Sequence, residues 1–271
     1  MSHALQAMRA IVMRELMKFA RQYGRLVSAL VRPLLWLAVF AAGFRNVFGV
    51  AIAPPYDTYV TYDVYIAPGL VGMVLLFNGM QSSLAMVYDR EMGLMRLLLT
   101  APLPRWWILF SKLVATAVLS LAQAAAFVIV AIALGTDLPV WGAHTPLLLA
   151  AAVASALMLG AVGLLLSVHI KQLENFAGTM NFVIFPMYFM STALYPLWKL
   201  EESGAGWVWQ IARANPFTHA VEWMRFALYG QDAGLSPLIV LATLALCFGL
   251  AAWGYDPQRG FGALTKRPGP A

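Results

Sequence analysis

Long apolar runs without charge fill most of the chain, and short polar segments separate them. A run of about 20 residues is long enough to cross a bilayer as a helix. One charge at mid-bilayer costs roughly 2.5–3.5 kcal/mol, so charge-free runs are the informative ones. Five are clear: Val64–Val87, Leu113–Leu134, Thr145–Val168, Asn175–Trp198 and Ala233–Trp253. A weaker sixth run, Leu30–Phe48, has Arg32 and Arg45 near its ends, where long side chains can reach the headgroups. The pattern predicts an all-α polytopic membrane protein with six transmembrane helices.

The N-terminal region, residues 1–29, has the pattern of an amphipathic helix. Its apolar face would hold Leu5, Met8, Val12, Leu16, Phe19, Tyr23 and Leu26, with Arg14, Lys18, Arg21 and Arg25 on the opposite face. A basic helix of this kind lies in the headgroup plane. It could serve as an interfacial anchor, as an elbow that transmits force into the first span, or as both. We expect one membrane domain over residues 1–271, with the bundle at 30–255 and a short cytoplasmic tail at 256–271.

The distribution of basic residues predicts the orientation. The 271-residue chain is 61% hydrophobic and 11% charged, and its net charge is +6. Fourteen of the 18 Lys and Arg residues fall on one side of the predicted spans, and only Arg45, Lys199, Arg213 and Arg225 fall on the other. Because lysine and arginine favour cytoplasmic segments, both termini should be cytoplasmic. Anionic lipids account for the positive charge, so no nucleic-acid partner is needed.

Tyrosines recur every third residue on the outer side, before the second span, at Tyr56, Tyr59, Tyr62 and Tyr65. Tyrosine collects at membrane interfaces because its ring is apolar and its hydroxyl is polar. We therefore expect an aromatic belt, with a cargo-contacting rim as the alternative.

The fifth span differs from the others in composition, because it contains asparagines, a proline and several methionines. Proline removes a backbone donor and loosens a membrane helix. A cavity-lining or gating helix is one interpretation. A tolerated proline with methionines as packing is another, and a soft-metal site on the methionines is a third. The candidate residues of a translocation path are Asn181, Pro186, Met187, Met190 and Tyr65.

The longest outer segment, residues 199–232, is too apolar for a free loop. Asn215 is placed as a helix N-cap, Pro216 as the first helical residue and Gly230 as the stop signal. This predicts a half-helix entering the outer leaflet, one of a set of reentrant outer half-helices before span six. His219, Glu222, Arg225 and Tyr229 fall on one stripe of it. Glu222 and Arg225 are expected to pair, and contact with a proton or cargo is the alternative.

No motif in the chain predicts an enzyme, and no cluster of His, Cys or carboxylate residues predicts a metal site. The four histidines are scattered, the one cysteine lies in the last span, and no carboxylate pair occurs within a span. The chain has no phosphate-binding GxxxxGK[ST] loop for ATP. Energy for uphill transport would have to come from another polypeptide. A membrane scaffold and an ion-coupled carrier are the alternatives to such a transporter.

Residues 88–105 carry the most distinctive polar segment. Asp89, Arg90 and Glu91 end the second span, and Gly93 permits a sharp turn. Leu94, Leu97 and Leu98 then give an i, i+3, i+4 apolar face, before two prolines and Arg105. A short cytoplasmic helix with a leucine face would bind either the inner leaflet or a soluble partner.

The motif Glu-x-Gly-x-x-x-x-Leu, at Glu91–Leu98, is followed by Pro-Leu-x-Arg at Pro102–Arg105 and by Lys112. This order resembles the ABC-2 type transporter permeases, the membrane subunits of drug, polysaccharide and nodulation-factor exporters. The Ala-Pro-Gly motif at Ala67–Gly69 and the Asn-Pro-Phe helix start extend the resemblance over nearly the whole chain.

The resemblance implies half of a type V exporter in the cell inner membrane. Two permease copies, expected to be identical, would pair with two cytosolic ATPase subunits that hold ATP and Mg²⁺. Glu91 and Gly93 would open a coupling helix ahead of Arg105, and Leu94, Leu97 and Leu98 would dock on the ATPase. The N-terminal helix would be the elbow, and the half-helices near Pro216–Tyr229 would shape the exit. Spans one, two and five would line the dimer interface and the path.

Overall fold

A computed structural model describes residues 3–21, 23–44, 55–56, 60–93, 103–170, 172–202, 204 and 206–255. Over these ranges the chain forms ten α-helices and no strand. They are α1 (His3–Ala20), α2 (Tyr23–Phe44), α3 (Tyr62–Glu91), α4 (Arg105–Ala133), α5 (Thr145–His169), α6 (Leu173–Phe189), α7 (Leu197–Glu202), α8 (Gly206–Ala214), α9 (Pro216–Leu228) and α10 (Ser236–Gly254).

Four of the described helices are long and apolar enough to cross a membrane: α3, α4, α5 and α10. They correspond to four of the six predicted spans, so the chain is a multi-pass, all-helical membrane protein. The other two predicted spans fall on shorter apolar stretches. In α2 that stretch is Leu30–Val39, and α6 has 17 residues.

The fifth predicted span ends nine residues earlier than the hydropathy pattern suggested. Helix α6 stops at Phe189, three residues after Pro186, which has no N–H to donate within the last turn. The Ser191 hydroxyl donates to the carbonyl of Tyr188 at 2.6 Å and accepts from the N–H of Ala193 at 3.2 Å. The serine side chain therefore supplies hydrogen bonds that another helical turn would make. Residues 190–196 form a turn in which residues 191–194 are buried.

The prediction of a single amphipathic helix over residues 1–29 is wrong in its extent. Helix α1 ends at Ala20, where the N–H of Arg21 bonds the carbonyl of Met17, and α2 begins at Tyr23. Gly24, a poor helix former, lies next to this junction. Helix α1 packs along α4, and the indole N–H of Trp107 donates to the carbonyl of Ala4 at 2.9 Å.

Helices α3 and α5 form the centre of the bundle, and α2, α4, α6, α9 and α10 pack around them. The two backbones meet at Gly163, where an added Cβ would lie 2.9 Å from the carbonyl oxygen of Gly79. Small residues of this kind let membrane helices approach closely, because there is little hydrophobic drive between helices in lipid.

The two ends of the bundle are named here by the helices that lie at them. We call the end with α1, residues 89–93 and the start of α4 the α1 end. The end with residues 62–65, the 190–196 turn and α9 is the α9 end. The 30 residues of α3 join them over about 45 Å at 1.5 Å per residue.

Candidate functional site

Asp89 is the centre of a buried charge cluster at the α1 end. The residue is 2% exposed, and its Oδ2 accepts a hydrogen bond from Nζ of Lys112 in α4 at 3.0 Å. Two cations of α1 reach the same carboxylate: Nη2 of Arg14 at 3.4 Å and Nζ of Lys18 at 3.5 Å. One carboxylate thus holds α1 and α4 to the last turn of α3.

Arg90, the next residue, contacts a different helix. Its Nη2 donates to the carbonyl of Ser167 at 2.8 Å, in the last turn of α5. The last carbonyls of a helix have no intrahelical donor, and a basic side chain there also complements the negative end of the helix dipole. Arg90 therefore holds the end of α5 against α3.

Glu91 caps the start of α6. Its Oε1 accepts from the backbone N–H of Leu173 at 2.8 Å, and Leu173 is the first residue of α6. A carboxylate at a helix N-terminus satisfies a free N–H and opposes the positive end of the dipole. We call Asp89, Arg90 and Glu91 the α3 junction, because these three consecutive side chains contact α1, α4, α5 and α6.

The chain leaves the α3 junction through Gly93, which has φ of +73°. Its N–H bonds the carbonyl of Arg90 at 3.1 Å, and a left-handed residue after a helix strongly favours glycine. The predicted turn at Gly93 is confirmed. Leu94, Leu97 and Leu98 lie outside the described residues. Arg105 is the first residue of α4, so the chain re-enters the bundle at the predicted position.

Sequence reasoning assigned the junction residues to the end of a span and missed the role of Asp89. A signal was nevertheless present. Asp89 and Lys112 are opposite charges placed inside the neighbouring ends of two long apolar helices joined by a short connection. A charge inside an apolar helix needs a partner, and the nearest opposite charge at the same depth is the natural one.

Arg225 is the corresponding buried charge at the α9 end. It is 2% exposed and pairs with Glu222 one turn earlier, as predicted. Its Nη2 donates to the carbonyl of Thr192 at 2.9 Å, and its Cζ lies 4.1 Å from the ring centroid of Tyr65. A planar guanidinium can serve a carboxylate, a carbonyl and a ring face together, which an ammonium cannot. Arg225 therefore links α9, the 190–196 turn and α3.

The predicted aromatic belt is wrong for the tyrosines that the structure describes. Tyr56, Tyr62 and Tyr65 are buried in the protein instead of facing headgroups, and Tyr59 lies outside the described residues. The Tyr62 hydroxyl donates to the carbonyl of Leu194 at 2.8 Å, and that of Tyr65 to Thr192 at 3.2 Å. These hydroxyls satisfy carbonyls that the early end of α6 leaves without helical partners.

The predicted start of α9 is confirmed, and it is tied to α6. Asn215 is the N-cap, with Oδ1 accepting from the N–H of Phe217 at 3.0 Å, and Pro216 is the first helical residue. The Asn215 Nδ2 donates to the carbonyls of Met187 at 2.7 Å and Met190 at 2.8 Å. Gly230 follows the end of α9 as expected. One amide therefore caps α9 and closes the end of α6.

Three residues of the predicted outer stripe, His219, Glu222 and Arg225, line one cavity of about 490 Å³ at the α9 end. The His219 Nε2 lies 3.0 Å from the carbonyl oxygen of Arg213. Tyr56 also lines this cavity, and burial raises the pKa of its hydroxyl, so the phenol stays protonated. The described residues contain no group of three His, Cys, Asp or Glu side chains placed to hold a metal ion.

The candidate path residues of α6 do not converge on one point. Asn181 and Pro186 are exposed on the outside of the chain, whereas Met187 and Met190 are half-buried and bound through their carbonyls to Asn215. Tyr65 lies inside the bundle.

Helices α2 and α6 are adjacent, since the ring of Trp36 lies 5.8 Å from that of Phe189. Over the described residues, both helices carry exposed side chains: Val31, Leu35 and Val39 on α2, and Asn181, Phe182 and Phe185 on α6. We call these six residues the uncovered face of α2 and α6.

The sequence is similar to those of transport permeases. The sequence model of the family described as "ABC-2 type transporter" matches residues 6–229. The chain is 28% identical over 241 residues to "Putative transport permease ycf38" of Porphyra purpurea, covering 87% of this chain and 78% of that protein. It is 30% identical over 240 residues to the protein of the same name in Cyanophora paradoxa, covering 85% and 77%. For the Pyropia yezoensis protein the values are 29% over 231 residues, 83% and 75%.

Proposed function

Since the chain belongs to the ABC-2 type transporter family, we propose that it is the permease subunit of an ATP-driven exporter whose ATPase is a separate cytosolic chain. Two copies would form the translocation path and bind two ATPase subunits, which hold ATP and Mg²⁺. The observation that carries this proposal is the α3 junction. It lies directly before residues 94–102 and contacts α1, α4, α5 and α6 at once.

Transmission of force follows from this arrangement. When ATP draws the two ATPase subunits together, a helix that begins at Leu94, ends before Pro102 and is docked on one of them moves with it. Gly93 joins that helix to the last turn of α3, where Asp89, Arg90 and Glu91 pass the displacement to four neighbouring helices. Helix α1 then acts as the elbow, because Arg14 and Lys18 attach it to the same carboxylate.

Docking of the predicted helix on the ATPase can be tested with one variant and a matched control. Leu97→Glu places a charge on the predicted leucine face, whereas Leu99→Glu makes the same change about 160° away around the helix. We expect the tagged Leu97→Glu permease to reach the membrane but to recover less than a tenth of the ATPase in a pull-down. Leu99→Glu should recover it normally. Normal ATPase recovery with Leu97→Glu would contradict the proposed docking.

We further propose six spans, with α2 and α6 crossing beside the four long helices and with the α1 end in the cytoplasm. Single cysteines in a Cys247→Ala background test this with a membrane-impermeant maleimide on intact spheroplasts. Ala143→Cys and Glu202→Cys, both at exposed positions, should be labelled from outside. Gln172→Cys, also exposed, should be labelled only after lysis. External labelling of position 172 would place the α1 end outside and reject cytosolic coupling.

The second permease copy is proposed to cover the uncovered face of α2 and α6. That face combines apolar residues with Asn181, whose amide would be costly to leave against lipid tails. An identical face on a second chain can pair the two amides across a two-fold axis. The path would then run between the two copies.

A further inference from the structure

Arg32 is a half-buried charge midway along the bundle, away from both charged ends. Its Cζ lies 3.9 Å from the ring centroid of Phe77, which is near the middle of the 30-residue helix α3. From Phe77 to Glu91 the helix rises about 21 Å. The sequence pattern placed Arg32 near a span end, within reach of headgroups. Its guanidinium instead lies midway along a membrane-length helix.

No acidic side chain among the described residues forms an ion pair with Arg32. The carboxylates that pair with cations over these ranges are Glu15, Asp89 and Glu222, and all three serve the two ends of the bundle. A cation over an aromatic face is stabilised by less than the cost of placing an arginine at mid-bilayer, so the contact offsets only part of that cost. An unpaired intramembrane cation of this kind characteristically lies on a ligand or ion pathway.

The remaining polar groups around Arg32 are amides. Gln81, Asn78 and Gln123 line the same small cavity, of about 10 Å³. Gln123 is 2% exposed, and neither atom of its amide has a hydrogen-bond partner in the structure. The Asn78 Nδ2 is already used, since it donates to the Ser120 hydroxyl at 2.7 Å. A buried amide without partners is costly, so its position beside a cation without an ion-pair partner points to a ligand site here.

The charge of this cluster determines which ligands it can bind. The guanidinium supplies donors only, and the side-chain amides of Gln81 and Gln123 can each add an N–H. No carboxylate is present to neutralise a cationic ligand. An oxyanion, such as a phosphate or carboxylate group, matches both the charge and the planar donor geometry of arginine.

The position of Arg32 also makes it accessible from the proposed path. It is half-buried and precedes Pro33 on α2, where its neighbours Val31 and Leu35 belong to the uncovered face shared with α6. The guanidinium therefore lies beside the surface that would meet the second copy. The cavity has room for no more than about one water, so a larger group would have to enter from that surface.

We propose that Arg32, with Gln81 and Gln123, binds an anionic oxyacid group midway across the membrane, and that the cargo carries such a group. This inference rests on the proposed transport function, which it deepens by naming the cargo class. A neutral or cationic cargo would gain nothing from this site and, if cationic, would be repelled by it.

The test measures binding to the purified full-length permease in dodecylmaltoside, without any ATPase. Three probes are compared by equilibrium titration: octyl phosphate, octyltrimethylammonium and inorganic phosphate. We expect octyl phosphate to bind and octyltrimethylammonium not to bind. Arg32→Gln should weaken octyl phosphate binding at least tenfold, since a hydrogen-bonded charge contributes about 1.5–3 kcal/mol.

Two further variants keep the result interpretable. Lys199→Gln removes an exposed cation of α7 and should leave the affinity unchanged. Gln123→Leu, which keeps the size of the side chain, should weaken binding several-fold even if Arg32→Gln fails to fold. Inorganic phosphate binding as tightly as octyl phosphate would support the anion site but assign it to a free anion. Equal binding of both charged amphiphiles, or no loss with Arg32→Gln and Gln123→Leu, would overturn the proposal.

Because this assay contains no ATPase, its outcome is independent of the Leu97→Glu pull-down. Anion binding with no ATPase recovery would retain the site and reject the proposed energy source. Normal ATPase recovery without anion binding would retain the proposed energy source and reject the anion site.

Discussion

Replacing Asp89 with asparagine is expected to release α1 from the bundle and to lower the free energy of unfolding by about 3–5 kcal/mol. A neutral amide cannot balance the buried ammonium of Lys112, and Arg14 and Lys18 lose the carboxylate that holds α1. The thermal midpoint in detergent should fall by on the order of 10 °C. Trypsin should also cut faster within α1, whose basic residues include Arg9 and Arg14.

Two controls separate this effect from a general loss of stability. Asp137→Asn makes the same chemical change at an exposed position and should leave both measurements unchanged. Adding Lys112→Met to Asp89→Asn removes the stranded buried cation and should recover much of the lost stability, although α1 stays loose. If Asp89→Asn melts and is cleaved like the parent protein, the cluster does not hold α1.

Replacing Arg225 with leucine should destabilise the α9 end by a similar amount, about 3–5 kcal/mol. Glu222 then loses its partner, and the carbonyl of Thr192 loses a buried donor. The ring of Tyr65 also loses the cation packed on it. The measurement is again the thermal midpoint in detergent, combined with labelling of a cysteine at buried Ala193, which should become reactive as the 190–196 turn loosens.

The matched control is Arg213→Leu, because Arg213 lies at the same end but is exposed. Its loss should change the free energy of unfolding by no more than about 0.5 kcal/mol. Arg225→Lys should be intermediate, since an ammonium keeps the charge but cannot bond the carboxylate and the carbonyl with a planar fork. A thermal midpoint of Arg225→Leu equal to that of Arg213→Leu would show that the buried arginine is not a structural link.

Local signals in the sequence predicted much of the fold. Hydropathy identified α3, α4, α5 and α10, because a charge-free apolar run long enough to cross a bilayer is the pattern of a transmembrane helix. The start of α9 was predicted because an N-cap asparagine followed by proline acts within one turn. The pair of Glu222 and Arg225 was predicted because its members are three residues apart.

Contacts between distant segments could not be predicted in the same way. Asp89 binds Arg14 across 75 residues, and Arg225 reaches Thr192 across 33 residues. A repeat of tyrosines every three residues fits an interfacial belt as well as an internal hydrogen-bonded row. Which arrangement forms depends on where α6 ends, because the carbonyls that follow its end accept hydrogen bonds from the hydroxyls of Tyr62 and Tyr65. The depth of Arg32 likewise depends on how α2 packs on α3, which its own sequence does not specify.

The α3 junction places its three contacts on successive residues, and successive side chains of a helix point about 100° apart. A rotation of the last turn of α3 about the helix axis would therefore move the side chains of Asp89, Arg90 and Glu91 together, and with them the groups that they contact. In the proposed mechanism, a displacement that enters through Gly93 would therefore reach α1, α4, α5 and α6 together.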